Sequence, residues 1–153
     1  MACDAEGGVA KQGVMPWPRL AEDMRHFKAM TEGHCVIMGS TTWHDKCTPS
    51  PLPNRCNVVV STQKIVGADV VISGDLTTAI ATLDVGSMKK FVIGGADIVQ
   101  QVLVAADVIH ITEIHATYDC DTFVPKYFEP FGFKRTETKT LATNANYTRW
   151  EKR

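Results

Sequence analysis

Little in this chain argues for an electrostatic partner. Its 16 lysines and arginines nearly balance 17 aspartates and glutamates, leaving a net charge of −1, so there is no charge-based case for nucleic acid or an anionic membrane. No apolar run approaches the roughly 20 residues a membrane span needs, and the first residues do not read as a signal peptide. The five cysteines (Cys3, Cys35, Cys47, Cys56, Cys120) are an odd number with no CxxC pair. That pattern argues for reduced thiols in the cytoplasm and against a disulfide frame or a zinc site. The five histidines are scattered, so no metal is expected. Repeats, low-complexity tracts and linkers are missing too, and 153 residues suit one domain, 1–153, with a core of its own.

What is present is an alternation of short β-branched runs with helical segments, the pattern of an α/β sheet. Strands are predicted at Cys35–Met38, Asn57–Ser61, Asp69–Ile72, Lys90–Ile93 and Val108–Ile114. Their continuous apolar runs predict burial on both faces. Helices are predicted at Leu20–Thr31, Thr41–Lys46, Leu76–Leu83 and Asp97–Leu103. Phe133–Leu141 and Asn146–Lys152 alternate polar and apolar residues, which predicts a terminal antiparallel hairpin.

The helix after Met15-Pro16-Trp17 carries the most chemistry. Leu20, Met24, Phe27 and Met30 recur at the spacing of a core-facing stripe. Asp23 falls on that stripe, where a carboxylate is costly unless hydrogen-bonded or used. The plainer alternative is that Glu22 and Asp23 complement the helix dipole from the first turn.

Two strand-to-helix junctions, Gly39-Ser40-Thr41-Thr42-Trp43 and Gly94-Gly95-Ala96-Asp97, combine small residues with a helix N-terminus, a setting for an anion. Neither matches GxGxxG or the P-loop. Each is also compatible with a tight turn, but the two together suggest a dinucleotide across the carboxyl ends of the strands. Gly7 through Gly13 reads as a flexible loop, a surface loop or a lid.

Several segments together resemble dihydrofolate reductases: Val14-Met15-Pro16-Trp17, Leu20-Ala21-Glu22-Asp23-Met24 with Phe27-Lys28, and Val36-Ile37-Met38-Gly39 with Thr42-Trp43. The series continues with Pro51-Leu52-Pro53-Asn54-Arg55, Val92-Ile93-Gly94-Gly95-Ala96, Ile111-Thr112 and Asp121-Thr122, in order along nearly the whole chain. The resemblance implies an α/β fold with a central, mostly parallel eight-stranded sheet, helices on both faces and an antiparallel C-terminal hairpin. It implies reduction of 7,8-dihydrofolate to tetrahydrofolate by hydride transfer from NADPH. By the same resemblance Asp23 binds the pteridine amino group and N3 and favours protonation at N5. Thr112 hydrogen-bonds Asp23, and Trp17 holds a water beside the pteridine. Ala2, Met24, Phe27, Lys28 and Leu52 are substrate-binding positions, and Ile93 offers its carbonyl to the pterin. Arg55 grips the folate glutamate as a bidentate fork, against the plainer reading of an exposed loop charge. Thr42, Gly95 and Ala96 hold the cofactor's pyrophosphate, Ala10 and Val14 its carboxamide. Gly39, Ser40, Thr41, Ser61, Thr62, Gln63 and Lys64 extend the cofactor site, as do Gly94, Asp97, Ile98 and Thr122. The Gly94–Gly95 bond is expected to be cis.

The chain departs from the family pattern in places. Ser40 and Asp97 stand where arginines for the 2′-phosphate are common, leaving Thr62, Gln63 and Lys64 to receive it. Val99 replaces a frequent tyrosine. His44–Ser50 is longer than usual, putting Lys46 or Cys47 at the substrate edge. The first strand lacks its opening residues, so Met1 is expected to be an internal methionine of a longer chain. Two alternatives remain: a related pyrimidine reductase of riboflavin synthesis, and a non-catalytic structural module. Asp23, Thr112, Trp17 and Arg55 together argue against both. A monomer is expected.

Overall fold

The computed structural model describes residues 1–46 and 49–153. They group into two compact units, one of Met1–His26 with Leu103–Arg153 and one of Phe27–Val102. Helix α1 (Ala21–Thr31) crosses the division.

In the second unit, β3 (Cys35–Gly39), β4 (Cys56–Val60), β5 (Val70–Ile72) and β6 (Lys90–Gly94) form a parallel sheet in the order β5-β4-β3-β6. Strand β3 explains itself by alternation. Val36 and Met38 pack with Trp43, Leu52 and Val59, while Cys35 and Ile37 pack with Val58 in a separate cluster. Every residue of β3 is buried, as a strand covered on both faces requires. At roughly 1.5–3 kcal/mol for each buried large aliphatic side chain, this strand anchors the unit. Three helices follow strands: α2 (Ser40–Trp43), α3 (Leu76–Thr82, capped by Asp75 on the Thr78 N–H) and α4 (Ala96–Val102). Helix α2 is shorter than the predicted Thr41–Lys46. His44 ends it, its N–H and its Nδ1 both reaching the Ser40 carbonyl, so backbone acceptors of the only turn are consumed at once.

The first unit holds two sheets. In the larger, β7 (Val108–Ile114) pairs parallel with β1 (Ala2–Cys3) and antiparallel with β10 (Ala145–Lys152), which pairs with β9 (Phe133–Ala142). The predicted hairpin is therefore present. Its outer strand β9 is exposed from Lys134 through Thr140, and the charges there guard an open sheet edge. The smaller sheet joins β2 (Gly8–Ala10) to β8 (Thr122–Phe123).

Three expectations are corrected. Among the described residues the ladders form three sheets of four, two and four strands, not one sheet of eight; β1 has only two residues and β7 as its one ladder partner there. Gly7–Gly13 is not loop throughout, because Gly8–Ala10 is a strand. A Cβ on Gly8 would lie 2.6 Å from Cys120 Sγ, so only glycine permits that approach. Finally, the stripe Leu20, Met24, Phe27 and Met30 is only half-buried, and Thr31 is the sole fully buried residue of α1.

Candidate active site

In the first unit the site is built around Asp23. It is half-buried on the first turn of α1, and the Thr112 hydroxyl donates to its Oδ1 at 2.6 Å. Thr112 is 3% exposed. It lies mid-strand on β7 between its register partners Ala2 and Tyr147, so the hydroxyl is fixed by a sheet on both sides. A carboxylate can accept about four hydrogen bonds; among the described residues Asp23 receives this one, on Oδ1, and none on Oδ2. Trp17 is half-buried and meets Tyr118 edge-on, centroids 5.7 Å apart.

Upstream of Trp17, the stretch 10–12 is tied down by Asp121, which precedes β8. Asp121 accepts from the Gln12 N–H at 2.9 Å and from the Thr122 hydroxyl at 2.8 Å, and donates its own N–H to Ala10 O. These bonds hold Asp121's carboxyl below the ordinary carboxylate value, the Gln12 N–H foremost. Ala10 and Thr122, both predicted for the cofactor, are register partners. Val14 closes a two-bond turn with Lys11 and is 49% exposed.

In the second unit Arg55 is half-buried over Phe27, 5.9 Å from the ring centroid. Its Nε donates to Pro53 O at 2.9 Å and its Nη1 to Thr31 Oγ1 at 3.2 Å. Thr31, 1% exposed, donates in turn to Phe27 O. Desolvation pulls the guanidinium below its ordinary value, partly offset by Glu32. No carboxylate forms an ion pair with it among the described residues. Two of its five donors are therefore spent on orientation, and the rest are unclaimed by an acid.

The predicted cofactor residues of this unit collect at the carboxyl ends of adjacent parallel strands. Gly39 closes β3 and Ser40 to Thr42 follow it, Ser61 to Lys64 follow β4, and Gly94 to Ile98 close or follow β6. The Gly94–Gly95 bond is cis, as expected. A Cβ on Gly94 would lie 3.3 Å from Thr42 Oγ1, and one on Gly39 3.2 Å from Ile98 Cγ1, so glycine is what lets these turns close together. Helix α2 has no side-chain cap at Gly39. Ser61 Oγ accepts from the Gln63 N–H at 3.0 Å, and Thr62, Gln63 and Lys64 are exposed.

Not every predicted position offers surface. Leu52 is 5% exposed and belongs to the cluster of Val36, Met38, Trp43 and Val59; Lys28, Thr41 and Asp97 are exposed, and Ala2, Met24 and Ile93 half-buried. Lys46 is exposed, and Cys47 lies outside the described residues. Sequence reasoning missed Tyr118 and Thr31, which brace Trp17 and Arg55; a lone tyrosine or threonine in a polar segment gives no periodic signal.

A parallel sheet with glycine turns at its carboxyl ends and helices after its strands is that of an α/β protein. The family model described as dihydrofolate reductase matches residues 1–151. Dihydrofolate reductase type 6 of Proteus mirabilis is 35% identical over 97% of this chain and 92% of its own length. The bifunctional dihydrofolate reductase-thymidylate synthase of Daucus carota is 36% identical over 93% of this chain, which spans 31% of that longer protein. A solved dihydrofolate reductase from Enterococcus faecalis, complexed with NADP(H) and RAB-propyl, superposes with a TM-score of 0.81 over 98% of this chain and 92% of its own, at 24% identity. The chain belongs to the dihydrofolate reductase family.

Proposed function

We propose that the chain reduces 7,8-dihydrofolate to 5,6,7,8-tetrahydrofolate with NADPH, and that Asp23 is its acid. The observation that carries this reading is the Thr112–Asp23 hydrogen bond, which orients one carboxylate oxygen and leaves the other unfilled. Asp23 holds the pteridine amino group and N3 and raises the proton affinity of N5, while Trp17 orders water beside the ring. Met24 and Ala2 of the first unit and Phe27 and Ile93 of the second, all half-buried, are assigned to the substrate, with the Ile93 carbonyl facing the pterin, while Leu52 supports from the core behind them. Arg55, pre-oriented by Pro53 and Thr31, receives the glutamate carboxylate, with Lys28 as a further cation.

The residues fit NADPH. Close-set glycine turns at Gly39 and Gly94, the Thr42 hydroxyl and the uncapped start of α2 form a donor set for a pyrophosphate. We assign it to Thr42, Gly95 and Ala96, the carboxamide to Ala10 and Val14, and the 2′-phosphate to Ser40 and Thr62–Lys64. When bound, the nicotinamide supplies the hydride. We read the chain as a cytoplasmic monomer acting on small molecules without nucleic acid or membrane; no described helix is long and apolar enough to cross a bilayer.

NADPH oxidation by the purified chain, followed with and without dihydrofolate, tests the reading. Dihydrofolate-dependent oxidation is expected; none at any substrate concentration, with the chain folded, overturns it.

A further inference from the structure

The turn that carries Arg55 is closed by a side chain with no assigned part in the reaction. Asn57 is 1% exposed and stands in β4 beside Val36 of β3. Its backbone N–H donates to Asp69 Oδ2 at 2.7 Å, and its carbonyl accepts from the Asp69 N–H at 2.9 Å. The side chain, thus anchored in the sheet, reaches back to the turn 52–55. Its Oδ1 accepts from the Leu52 N–H at 2.9 Å, and its Nδ2 donates to the carbonyls of Leu52 at 2.9 Å and Arg55 at 3.0 Å. Both N–H bonds of the amide and its acceptor are used on the two ends of one turn. Between those ends Asn54 has a left-handed backbone, φ +60°, and its carbonyl accepts from the Gly33 N–H at 2.8 Å. Pro53 O, the acceptor for Arg55 Nε, lies in the same turn. The guanidinium therefore takes one of its orienting bonds from a carbonyl held between two residues that Asn57 clamps.

Resting on the reading of Arg55 as the cation for the glutamate carboxylate, we propose that Asn57 is a positioning residue for that guanidinium. Its amide locks the turn 52–55 so that the Pro53 carbonyl presents Arg55 in one orientation. The chemistry singles out asparagine. Aspartate has the shape but no N–H for the two carbonyls, and leucine would leave three backbone groups of the turn without their partner. What the clamp contributes to binding is pre-organisation, because a loosened turn must first be ordered by the ligand.

Steady-state kinetics and NADPH binding of Asn57→Ser, alone and combined with Arg55→Leu, test this. Serine keeps a hydroxyl but cannot span both ends of the turn. Alone, it is expected to raise KM for dihydrofolate roughly three- to tenfold, with kcat and the NADPH Kd within about twofold of the parent chain. In the Arg55→Leu background it should leave KM unchanged, because the group it positions is gone. An unchanged KM in the single variant overturns the proposal. So does an equal rise in both backgrounds, or parallel weakening of NADPH, which a merely structural residue would give. If Asn57→Ser does not fold, Asn57→Thr, closer in volume and suited to a strand, carries the same test. If neither folds, Asn57 holds the architecture and the proposal falls. An unchanged KM in Arg55→Leu alone overturns instead the role of Arg55 on which the proposal rests.

Discussion

Two carboxylates of the first unit are treated in opposite ways. Asp4, at the turn between β1 and β2, is 2% exposed. Its Oδ1 accepts from the Glu6 and Gly8 N–H groups at 2.9 and 2.8 Å, and its Oδ2 from the Tyr118 N–H at 3.0 Å and the Cys120 thiol. Burial pushes this carboxyl up, but the N–H groups of Tyr118, Gly8 and Glu6 and the Cys120 thiol outweigh it and hold it low. Asp23 is less buried and receives a single hydroxyl. A saturated carboxylate is a structural clamp, because every lone pair is spent on the fold. An under-filled one keeps acceptor capacity for something that arrives later. The number of donors, more than depth, separates the two roles.

The same chemical change at both positions breaks or sharpens this contrast. Asp23→Asn is expected to lower turnover with dihydrofolate by about 10²–10⁴-fold at neutral pH, the usual worth of a positioned acid. It should shift stability by less than about 1 kcal/mol, since Thr112 can still donate to the amide oxygen. NADPH affinity should persist, and activity should partly recover in acid, where free substrate is protonated unaided. Near-normal turnover would remove Asp23 from the chemistry. Asp4→Asn is expected to do the reverse. Replacing one saturated acceptor by an NH₂ aimed at N–H groups costs roughly 2–4 kcal/mol of unfolding free energy, read from denaturant midpoints, with turnover per folded molecule largely retained. The sign in pH follows from the depressed carboxyl. Asp4's contribution is complete above its unfolded value of 3.8 and is lost as pH falls through the lower folded value. The variant should therefore lose the wild type's extra acid sensitivity below about pH 4.

How far each of these was legible in the sequence follows from range. Asp23 could be found because it interrupts a periodic stripe within one helix, and the β3, β4, β6 and β7 segments because short β-branched and apolar stretches such as Val36-Ile37-Met38, Val58-Val59-Val60 and Phe91-Val92-Ile93 stand out against their polar flanks. The β2–β8 ladder could not, since it joins three residues to two across more than a hundred positions. Asp4 was silent for the same reason: two of its four donors, Tyr118 and Cys120, come from the far end of the chain. The stripe itself misled on depth. Helical spacing identifies a face but not how completely it is covered, and Leu20, Met24, Phe27 and Met30 all remain half-buried.

Arg55 extends the contrast to a cation. Like Asp23 it is oriented by neutral hydrogen-bond partners and forms no ion pair among the described residues, so its loss should be felt by ligand more than by fold. Arg55→Leu is expected to raise KM for dihydrofolate roughly ten- to a hundredfold, the worth of about 1.5–3 kcal/mol for a charge-assisted pair in a partly shielded place. NADPH dissociation, measured by fluorescence quenching, should be nearly unchanged. Equal weakening of both ligands would assign Arg55 to the architecture through Thr31 and Pro53.

The smallest effect concerns the proposed 2′-phosphate site, where the chain offers little positive charge. Ser40 opens α2 and is half-buried, Lys64 is the one cation among Ser61, Thr62, Gln63 and Lys64, and Asp97 places a negative charge in the first turn of α4. If the 2′-phosphate is held where we propose, it meets hydroxyls and amides before it meets cations, so discrimination between NADPH and NADH should be modest. Ser40→Arg adds a guanidinium that pairs with that phosphate near the surface, where such pairs contribute about 0.3–1 kcal/mol. NADPH should then bind roughly two- to fivefold tighter at low salt, with NADH unchanged. Because the pair is exposed, raising the ionic strength toward 1 M, where the Debye length drops to about 3 Å, should erase most of the gain. A gain that survives high salt would mean the arginine acts by packing and not by charge. No gain at any salt would mean that Lys64 already neutralises the phosphate, and Lys64→Gln should then weaken NADPH by the margin expected of Ser40→Arg.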